Sequence, residues 1–200
     1  YAPSMGPFQM QKRKKLREKI LNGASLLCVR EPISKKYLQQ QLGIQIPIHV
    51  TLDSAFQNDC NYKEMEHILK KDHELNAFLK KYDKVVGITV TDLLWHQKLS
   101  KDPNVKKNID QTFKKFLSFL KEKKYGVVFI PQLFGEDHDA PYMSSLALDN
   151  CFTLSDEYDA YFQQFFISNL YAVVGMRYHS NIFSAKALIP FVSIAYEQKM

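Results

Sequence analysis

The sequence predicts an α/β protein with Rossmann-like parallel sheets, because short apolar strands alternate with helices along most of its length. The predicted strands are brief and rich in β-branched residues, and the segments between them are long enough for helical crossovers. Crossovers of this length join parallel strands in a right-handed sense. With 200 residues and 46% hydrophobic content, the chain can also bury a sizeable core.

The first part of the chain is predicted to contain two strands and three helices. In order, these are a basic helix over 9–22, a strand over 24–30, a helix over 32–42, a strand over 46–52 and an amphipathic helix over 62–81. The helix at 32–42 has the clearest ends, because Pro32 lies in its first turn and Gly43 follows its last residue.

From residue 84 onward the alternation becomes regular, which is the pattern of a parallel sheet with helical crossovers. Strands are predicted over 84–91, 126–132, 151–155, 172–176 and 190–196, and helices over 104–124, 156–170 and 179–188. The helix over 104–124 carries a stripe of apolar residues on one face, which predicts that this face packs on the sheet.

The lysine-rich segment between the two halves is predicted to divide them. We expect residues 1–61 to be the C-terminal part of one Rossmann-like domain, 62–83 a connecting helix or linker, and 84–200 a second Rossmann-like domain with a truncated C-terminal end. The chain begins without a methionine and stops just after a predicted strand. We therefore expect it to be a piece of a longer protein.

The composition narrows the functional classes. The formal net charge of +6 comes mostly from lysines on predicted helix surfaces, which are usually solvated but also allow association with acidic ligands or an anionic membrane surface. No nucleic-acid motif accompanies the lysines. The three cysteines form no CxxC pair or His/Cys cluster, so the pattern favours a reducing cytoplasm and no metal site. No apolar run approaches the ~18 residues of a membrane span, and the first residues do not form a signal peptide.

Polar or charged residues follow nearly every predicted strand. In such sheets a ligand binds outside the carboxyl ends of the strands, so these residues are the candidate site. They are Arg30, Glu31, Ser34, Asp53, Thr91, Asp92, Gln132, Asp137, His138, Ser155, Asp156, Arg177, His179, Glu197 and Lys199. The chain has only four arginines, and two of them, Arg30 and Arg177, directly follow strands. A guanidinium beside a helix N-terminus is well suited to bind a carboxylate or phosphate.

Several of these residues also have a purely structural interpretation. Arg30 can pair with Glu31 or another nearby carboxylate, and Asp53 can cap the turn that follows it. Arg177 can be an ordinary loop arginine and His179 a helix-capping histidine. The acidic stretch at 136–141, "EDHDAP", resembles a run of metal ligands, although acidic loops with a histidine are common.

Five sequence blocks carry a family resemblance: "VREPIS", "HVTLDSAF", "VGITVTD", "VVFIPQ" followed by an aspartate, and "VVGMRYHSNIFSAKALIPFVSIAYEQK". Together they resemble the polysaccharide pyruvyl transferase family, from about residue 4 to the end. The last block is the most specific, with a glycine-led Arg-x-His turn, a helix of small residues and a final strand. Tyr178 departs from the family, which often has an aliphatic residue there.

The resemblance implies a two-domain, glycosyltransferase-B-like arrangement and the transfer of pyruvate from phosphoenolpyruvate to a sugar as a ketal. It places "SMGPF" late in the acceptor-side domain and starts the donor-binding domain near residue 84. The early part of the first domain and the closing C-terminal helices would then be absent. The resemblance further implies phosphoenolpyruvate as the donor substrate, no cofactor, and a saccharide or a lipid-linked saccharide as the acceptor.

The resemblance also gives roles to the residues at the strand ends. Arg177 and Arg30, expected from facing domains, would hold the carboxylate and phosphate of the donor. His179 would give a hydrogen bond or proton to the phosphate, and Asp53 or Glu197 would deprotonate an attacking hydroxyl. The other predicted substrate contacts are Ser34, Gln132, Tyr178, Ser180 and Lys199.

Two other functional classes remain open at this point. The first is a glycosyltransferase of the same fold that uses a sugar nucleotide. Such an enzyme would normally carry a glutamate or a glycine-rich loop for the nucleotide, and the segment "GMRYHS" offers neither. The second is an inactive binding fragment.

Overall fold

A computed structural model describes residues 3–8, 13–135 and 138–197, and it confirms an α/β fold with parallel sheets. The chain divides into two compact units: residues up to Asn58 form the first, and residues from Asp59 form the second. Among the described residues, no helix is both long and apolar enough to cross a membrane.

The first unit is built on a short two-stranded parallel sheet. Its elements are α1 (Lys14–Asn22), β1 (Leu27–Val29), α2 (Pro32–Leu42) and β2 (Ile48–Val50), followed by a 3₁₀ turn at Ser54–Phe56. Helix α2 begins at Pro32 and ends before Gly43, whose φ of 61° is the left-handed conformation that glycine adopts at low cost. Buried Leu38 and Leu42 project from α2 onto Val29 and Ile48 and make the core of this unit.

The second unit begins with two helices where one was predicted. Helix α3 spans Tyr62–Lys71 and α4 spans His73–Leu79. The predicted single helix is wrong because Asp72 has extended backbone angles and caps α4, its side chain accepting a hydrogen bond from the Leu75 N–H at 2.9 Å. Aspartate competes with the helix for backbone hydrogen bonds, which favours a cap at this position over a continuous helix.

The remaining elements of the second unit form a five-stranded parallel sheet with helical crossovers. They are β3 (Val85–Thr89), α5 (Pro103–Glu122), β4 (Gly126–Phe129), α6 (Asp139–Leu146), β5 (Cys151–Thr153), α7 (Ala160–Ile167), β6 (Ala172–Gly175), α8 (Tyr178–Lys186) and β7 (Phe191–Ser193). The strand order is β5-β4-β3-β6-β7. Buried Phe113, Leu117 and Leu120 of α5 contribute to the core beneath this sheet, as their spacing predicted.

The strand order creates a switch point between β3 and β6. The chain adds β4 and then β5 on one side of β3, and it then returns to place β6 on the other side. Connections that leave two neighbouring strands in opposite directions open a crevice at their carboxyl ends, where ligands bind in sheets of this kind. The residues that follow β3 and β6 therefore lie at the expected binding edge.

Helix α6 was not predicted. Its sequence, "DAPYMSSL", has weak apolar periodicity and a proline, and its acidic start resembled a loop. Pro141 is tolerated because it lies in the first turn, where a backbone N–H has no partner within the helix. The helix places Asp139 at the carboxyl end of the sheet, buried to 2% exposure.

Candidate functional site

Arg177 follows strand β6 and lies at the switch point. The Met176 N–H donates to the Thr89 carbonyl of β3 at 2.8 Å, and the Arg177 N–H donates to the Thr89 hydroxyl at 3.2 Å. Arg177 keeps extended backbone angles and serves as the residue before α8. The neighbouring strand thus fixes the backbone from which the guanidinium projects.

A glycine allows α8 to start this close to the strand. A Cβ atom built on Gly175 would lie 2.1 Å from Asn181 Oδ1 and 2.8 Å from Ser180 Oγ, both on the first turns of α8. The side chain of Asn181 donates to Ser193 Oγ of β7 at 2.9 Å, so it has little room to withdraw. The glycine that leads the Arg-x-His turn is therefore required by close packing.

The guanidinium of Arg177 is held by Asp139. Arg177 Nε donates to Asp139 Oδ2 at 3.0 Å, and Nη2 donates to Oδ1 in a second short contact. Asp139 Oδ2 also accepts the backbone N–H groups of Gln132 and Leu133, at 3.1 and 3.0 Å. Both side chains are buried, with exposures of 11% for Arg177 and 1% for Asp139. Sequence analysis anticipated the arginine but missed this partner.

Trp95 covers one face of the same guanidinium. Arg177 Cζ lies 5.2 Å from the centroid of the Trp95 ring, within the range of a cation–π contact. The indole Nε1 donates to Thr91 Oγ1 at 3.0 Å, which holds the ring against the segment that follows β3. Leu93, between these residues, has a φ of 59°, so the loop turns sharply here.

Electrostatics keeps Arg177 charged in this buried position. Burial by itself would lower the pKa of the guanidinium, but the hydrogen bonds and charge of Asp139 more than offset this and raise it. Burial raises the pKa of the Tyr196 hydroxyl, which lies beside Arg177, and the positive charge of Arg177 opposes that rise. The site therefore contains a permanent cation and a neutral phenol.

Gln132 and Ser180 hold the start of α8. Gln132 Oε1 accepts the Ser180 N–H at 3.1 Å, and its Nε2 donates to Gln163 Oε1 at 3.1 Å. The Ser180 hydroxyl donates to the Arg177 carbonyl at 2.7 Å and lies 2.9 Å from Thr89 Oγ1. Both residues lie at the predicted edge, and these contacts position the helix that follows Arg177.

His179 and Tyr178 occupy the outer side of the helix start. His179 is exposed, and its ring lies 5.5 Å from the ring of Tyr178 and 6.2 Å from that of Phe183. Tyr178 is half-buried. The imidazole thus neighbours two aromatic rings at the solvent side of the binding edge.

Glu197 approaches a histidine that sequence analysis did not select. Glu197 Oε1 lies 3.9 Å from His96 Nε2. His96 Nδ1 accepts the backbone N–H groups of Lys98 and Leu99, which places the ring proton on Nε2, facing Glu197. The predicted contact Lys199 lies outside the described residues.

In the first unit, Arg30 is paired with acidic residues. Arg30 Nη1 donates to Asp53 Oδ2 at 2.6 Å, and Arg30 Nε lies 3.4 Å from Glu31 Oε2. The other oxygen of Asp53 accepts the Ala55 N–H at 2.9 Å and caps the 3₁₀ turn. Arg30 thus pairs with carboxylates and Asp53 caps the turn that follows it, which are the structural contacts that the sequence allowed for these two residues.

Ser34 joins the N-terminal segment to α2. Its hydroxyl donates to Glu31 Oε1 at 2.5 Å and accepts the Met5 N–H at 2.7 Å, and the residue is buried to 1% exposure. Its role as a substrate contact stays a prediction.

A family model described as polysaccharide pyruvyl transferase matches residues 1–198, nearly the whole chain. The chain belongs to the polysaccharide pyruvyl transferase family. No curated protein matches it. The family assignment confirms the resemblance carried by the five sequence blocks, including the Gly-Met-Arg-Tyr-His turn at the binding edge.

As a member of the pyruvyl transferase family, the chain brings together most of the predicted residues of its second unit. Arg177, Tyr178, His179, Ser180, Gln132 and Glu197 lie at or beside the carboxyl edge of the five-stranded sheet. The residues missed by sequence analysis are Asp139, Trp95, His96 and Tyr196. One available signal was that Trp95, the only tryptophan, lies in the loop after β3.

One aspartate of the acidic stretch that resembled metal ligands, Asp139, pairs with Arg177. Asp139 is occupied by Arg177 and two backbone N–H groups. Within the part of the chain that the structure describes, no group of three or more His, Cys, Asp or Glu side chains is arranged to hold a metal ion. Glu136 and Asp137 lie outside that part.

Proposed function

We propose that this protein transfers pyruvate from phosphoenolpyruvate to a saccharide, with Arg177 as the anion contact in the second unit. The observation that carries the proposal is the placement of a charged guanidinium at the switch point of the sheet, where this fold binds ligands. Family membership supplies the reaction class. The donor and the role of Arg177 are inferred from the chemistry.

The orientation of Arg177 suits a planar or tetrahedral anion. Asp139 accepts hydrogen bonds from the Nε–H and from one N–H of Nη2. The other edge of the guanidinium, formed by Nη1 and the second N–H of Nη2, therefore points away from Asp139. A donor carboxylate or phosphate can accept two parallel hydrogen bonds from that edge.

The proposed reaction joins two sugar hydroxyl oxygens to C2 of the donor. The C2–O bond to phosphate breaks, one hydroxyl proton ends on C3 to make a methyl group, and the other leaves with phosphate or a base. His179, exposed beside Arg177, is the proposed proton donor to the departing phosphate. Either Glu197 or Asp53 is the proposed base. The remaining proposed contacts are Arg30, Ser34, Gln132, Tyr178, Ser180 and Lys199.

The proposed acceptor is a saccharide or a lipid-linked saccharide. Because phosphoenolpyruvate is a cytoplasmic metabolite, the proposed reaction takes place in the cytoplasm, and a lipid-linked acceptor would bring the protein to the inner membrane face. We also propose a two-domain arrangement of the glycosyltransferase-B type, with residues 84–200 as the donor-binding part.

Donor binding is tested by thermal unfolding of the protein with phosphoenolpyruvate, UDP or inorganic phosphate. A ligand at 100 times its Kd stabilises the folded state by about 2.7 kcal/mol, which raises Tm by roughly 5–10 °C for a chain of this size. Arg177→Lys replaces the planar guanidinium with a point charge. We expect phosphoenolpyruvate to raise the Tm of this variant much less than that of the wild type, and we expect the Tm without ligand to stay the same.

Arg17→Lys on α1 is the matched control, because it makes the same chemical change at an arginine that is not among the proposed donor contacts. An unchanged phosphoenolpyruvate shift in Arg177→Lys would remove Arg177 from the donor site. Stabilisation by UDP alone would favour a glycosyltransferase, and no shift with any of these ligands would refute donor binding by this chain.

A further inference from the structure

Arg177 is confined by its neighbours more closely than anion binding alone requires. Asp139 binds one edge through two nitrogens, Trp95 covers one face, and the Thr89 hydroxyl fixes the backbone N–H. A long side chain normally retains several rotamers, so these contacts remove freedom that the guanidinium would otherwise lose on binding a ligand.

Asp139 is itself fixed from the opposite side. Its Oδ2 accepts the N–H groups of Gln132 and Leu133, which belong to the loop that leaves β4. The carboxylate is therefore a rigid connection between the end of β4 and the guanidinium after β6. At 1% exposure it is sealed from solvent, so it neutralises Arg177 with little screening.

We propose that Asp139 is a positioning residue that selects the donor. It holds Arg177 so that the edge of the guanidinium that points away from Asp139 matches a bidentate anion, and it cancels the excess positive charge that would attract any phosphate. Trp95 supports the same orientation from the ring face. This inference rests on the proposed function, and it adds that the site recognises its donor by geometry more than by charge.

The proposal predicts different changes in two affinities, that for phosphoenolpyruvate and that for inorganic phosphate. A purely structural role of Asp139 would change both affinities together. Releasing Arg177 weakens the binding of a ligand that needs the oriented guanidinium, namely phosphoenolpyruvate. It also restores net positive charge, which retains or strengthens binding of plain inorganic phosphate. The ratio of the two dissociation constants, phosphate over phosphoenolpyruvate, therefore reports positioning independently of overall stability.

The test measures both dissociation constants by calorimetry for the wild type and Asp139→Asn. Asparagine keeps one acceptor oxygen but places an N–H₂ group against Arg177 Nη2, where two donors repel. We expect phosphoenolpyruvate to bind about tenfold or more weakly, the factor that one lost charge-assisted hydrogen bond corresponds to. We expect the dissociation constant for inorganic phosphate to stay the same or fall. The ratio of the phosphate constant to the phosphoenolpyruvate constant therefore drops by a similar factor.

Asp110→Asn is the matched control, because Asp110 is a partly buried aspartate that accepts hydrogen bonds from Tyr142 and Lys106 and not from Arg177. Its ratio should equal that of the wild type. If Asp139→Asn does not fold, Trp95→Leu tests the same idea, since Trp95 lies in a half-buried loop position. We expect a smaller drop of the ratio in that variant.

A folded Asp139→Asn protein with the wild-type ratio overturns the inference while leaving the proposed function intact. If the aspartate variant does not fold, an unchanged ratio in Trp95→Leu has the same meaning. Failure of the wild type to bind phosphoenolpyruvate overturns the proposed function, and this inference with it.

Discussion

Replacing Gly175 by alanine tests whether the close approach of α8 to β6 fixes the binding edge. The added Cβ would lie 2.1 Å from Asn181 Oδ1 and 2.8 Å from Ser180 Oγ, where ordinary carbon–oxygen contacts are well beyond 3 Å. Ser180 cannot retreat without losing its hydrogen bonds to Thr89 and to the Arg177 carbonyl. The start of α8 therefore has to move.

The expected cost follows from the packing. Overpacking a close-packed interior costs about 1–3 kcal/mol, and two contacts below 3.0 Å place this substitution at the upper end. For a chain of 200 residues, a loss of about 3 kcal/mol lowers Tm by roughly 6–12 °C. Because Arg177 follows Gly175 by two residues, we also expect weaker phosphoenolpyruvate binding in any variant that folds.

Thermal unfolding of Gly175→Ala is compared with that of Gly23→Ala. Gly23 ends α1 with right-handed helical angles, and a Cβ there would meet its nearest atom at 3.3 Å, so we expect a much smaller effect. The double variant Gly175→Ala/Asn181→Ala removes the closer of the two contacts and should recover part of the loss. A Tm within about 2 °C of the wild type for Gly175→Ala would refute the packing argument.

Two further predictions concern a proposed proton donor and a partly buried carboxylate. His179→Gln should keep donor binding through a neutral hydrogen bond but lower turnover of the active enzyme by ~10²-fold or more, and near-normal turnover would reduce His179 to a helix-start residue. Burial would raise the pKa of Asp110, but hydrogen bonds from Lys106 and Tyr142 lower it. That stabilisation is present above the unfolded pKa and is lost as pH falls through the folded one. Tyr142→Phe should therefore be less stable than the wild type by about 1–2 kcal/mol at pH 7, with the difference in Tm shrinking toward pH 3. Exposed Tyr161→Phe is the control, and a pH-independent difference would contradict the linkage.

The parts of the fold that were predictable from sequence are those set by local patterns. The apolar stripe of α5 and the Pro32 and Gly43 ends of α2 depend on residues within a few positions of one another. The cap at Asp53 is equally local, since its carboxylate accepts an N–H two residues later. Strand lengths were less predictable: the run at 24–30 yields a strand only over Leu27–Val29, because a partner strand decides how much of an apolar run joins a sheet.

The candidate site was predictable in position but not in its contacts. Arg177 was identified because it directly follows a strand in a parallel sheet, which is a rule of topology. Its partner Asp139 lies 38 positions earlier in the chain, on a helix whose sequence has little periodicity. Trp95 reaches the same guanidinium from the loop after β3. Pairings of this kind depend on which strands become neighbours, and local sequence does not encode that order.

The Arg177–Asp139 pair is better explained by function than by stability. A buried ion pair often contributes no more to stability than well-packed apolar residues of the same size would, because both charges lose their hydration. Yet the chain places this pair at the switch point, satisfies the carboxylate with two backbone N–H groups and covers the guanidinium with its only tryptophan. Apolar side chains could have filled the same volume between β4 and β6. What they could not supply is a rigid cation whose donor edge is already oriented, and that is the property the proposed anion site uses.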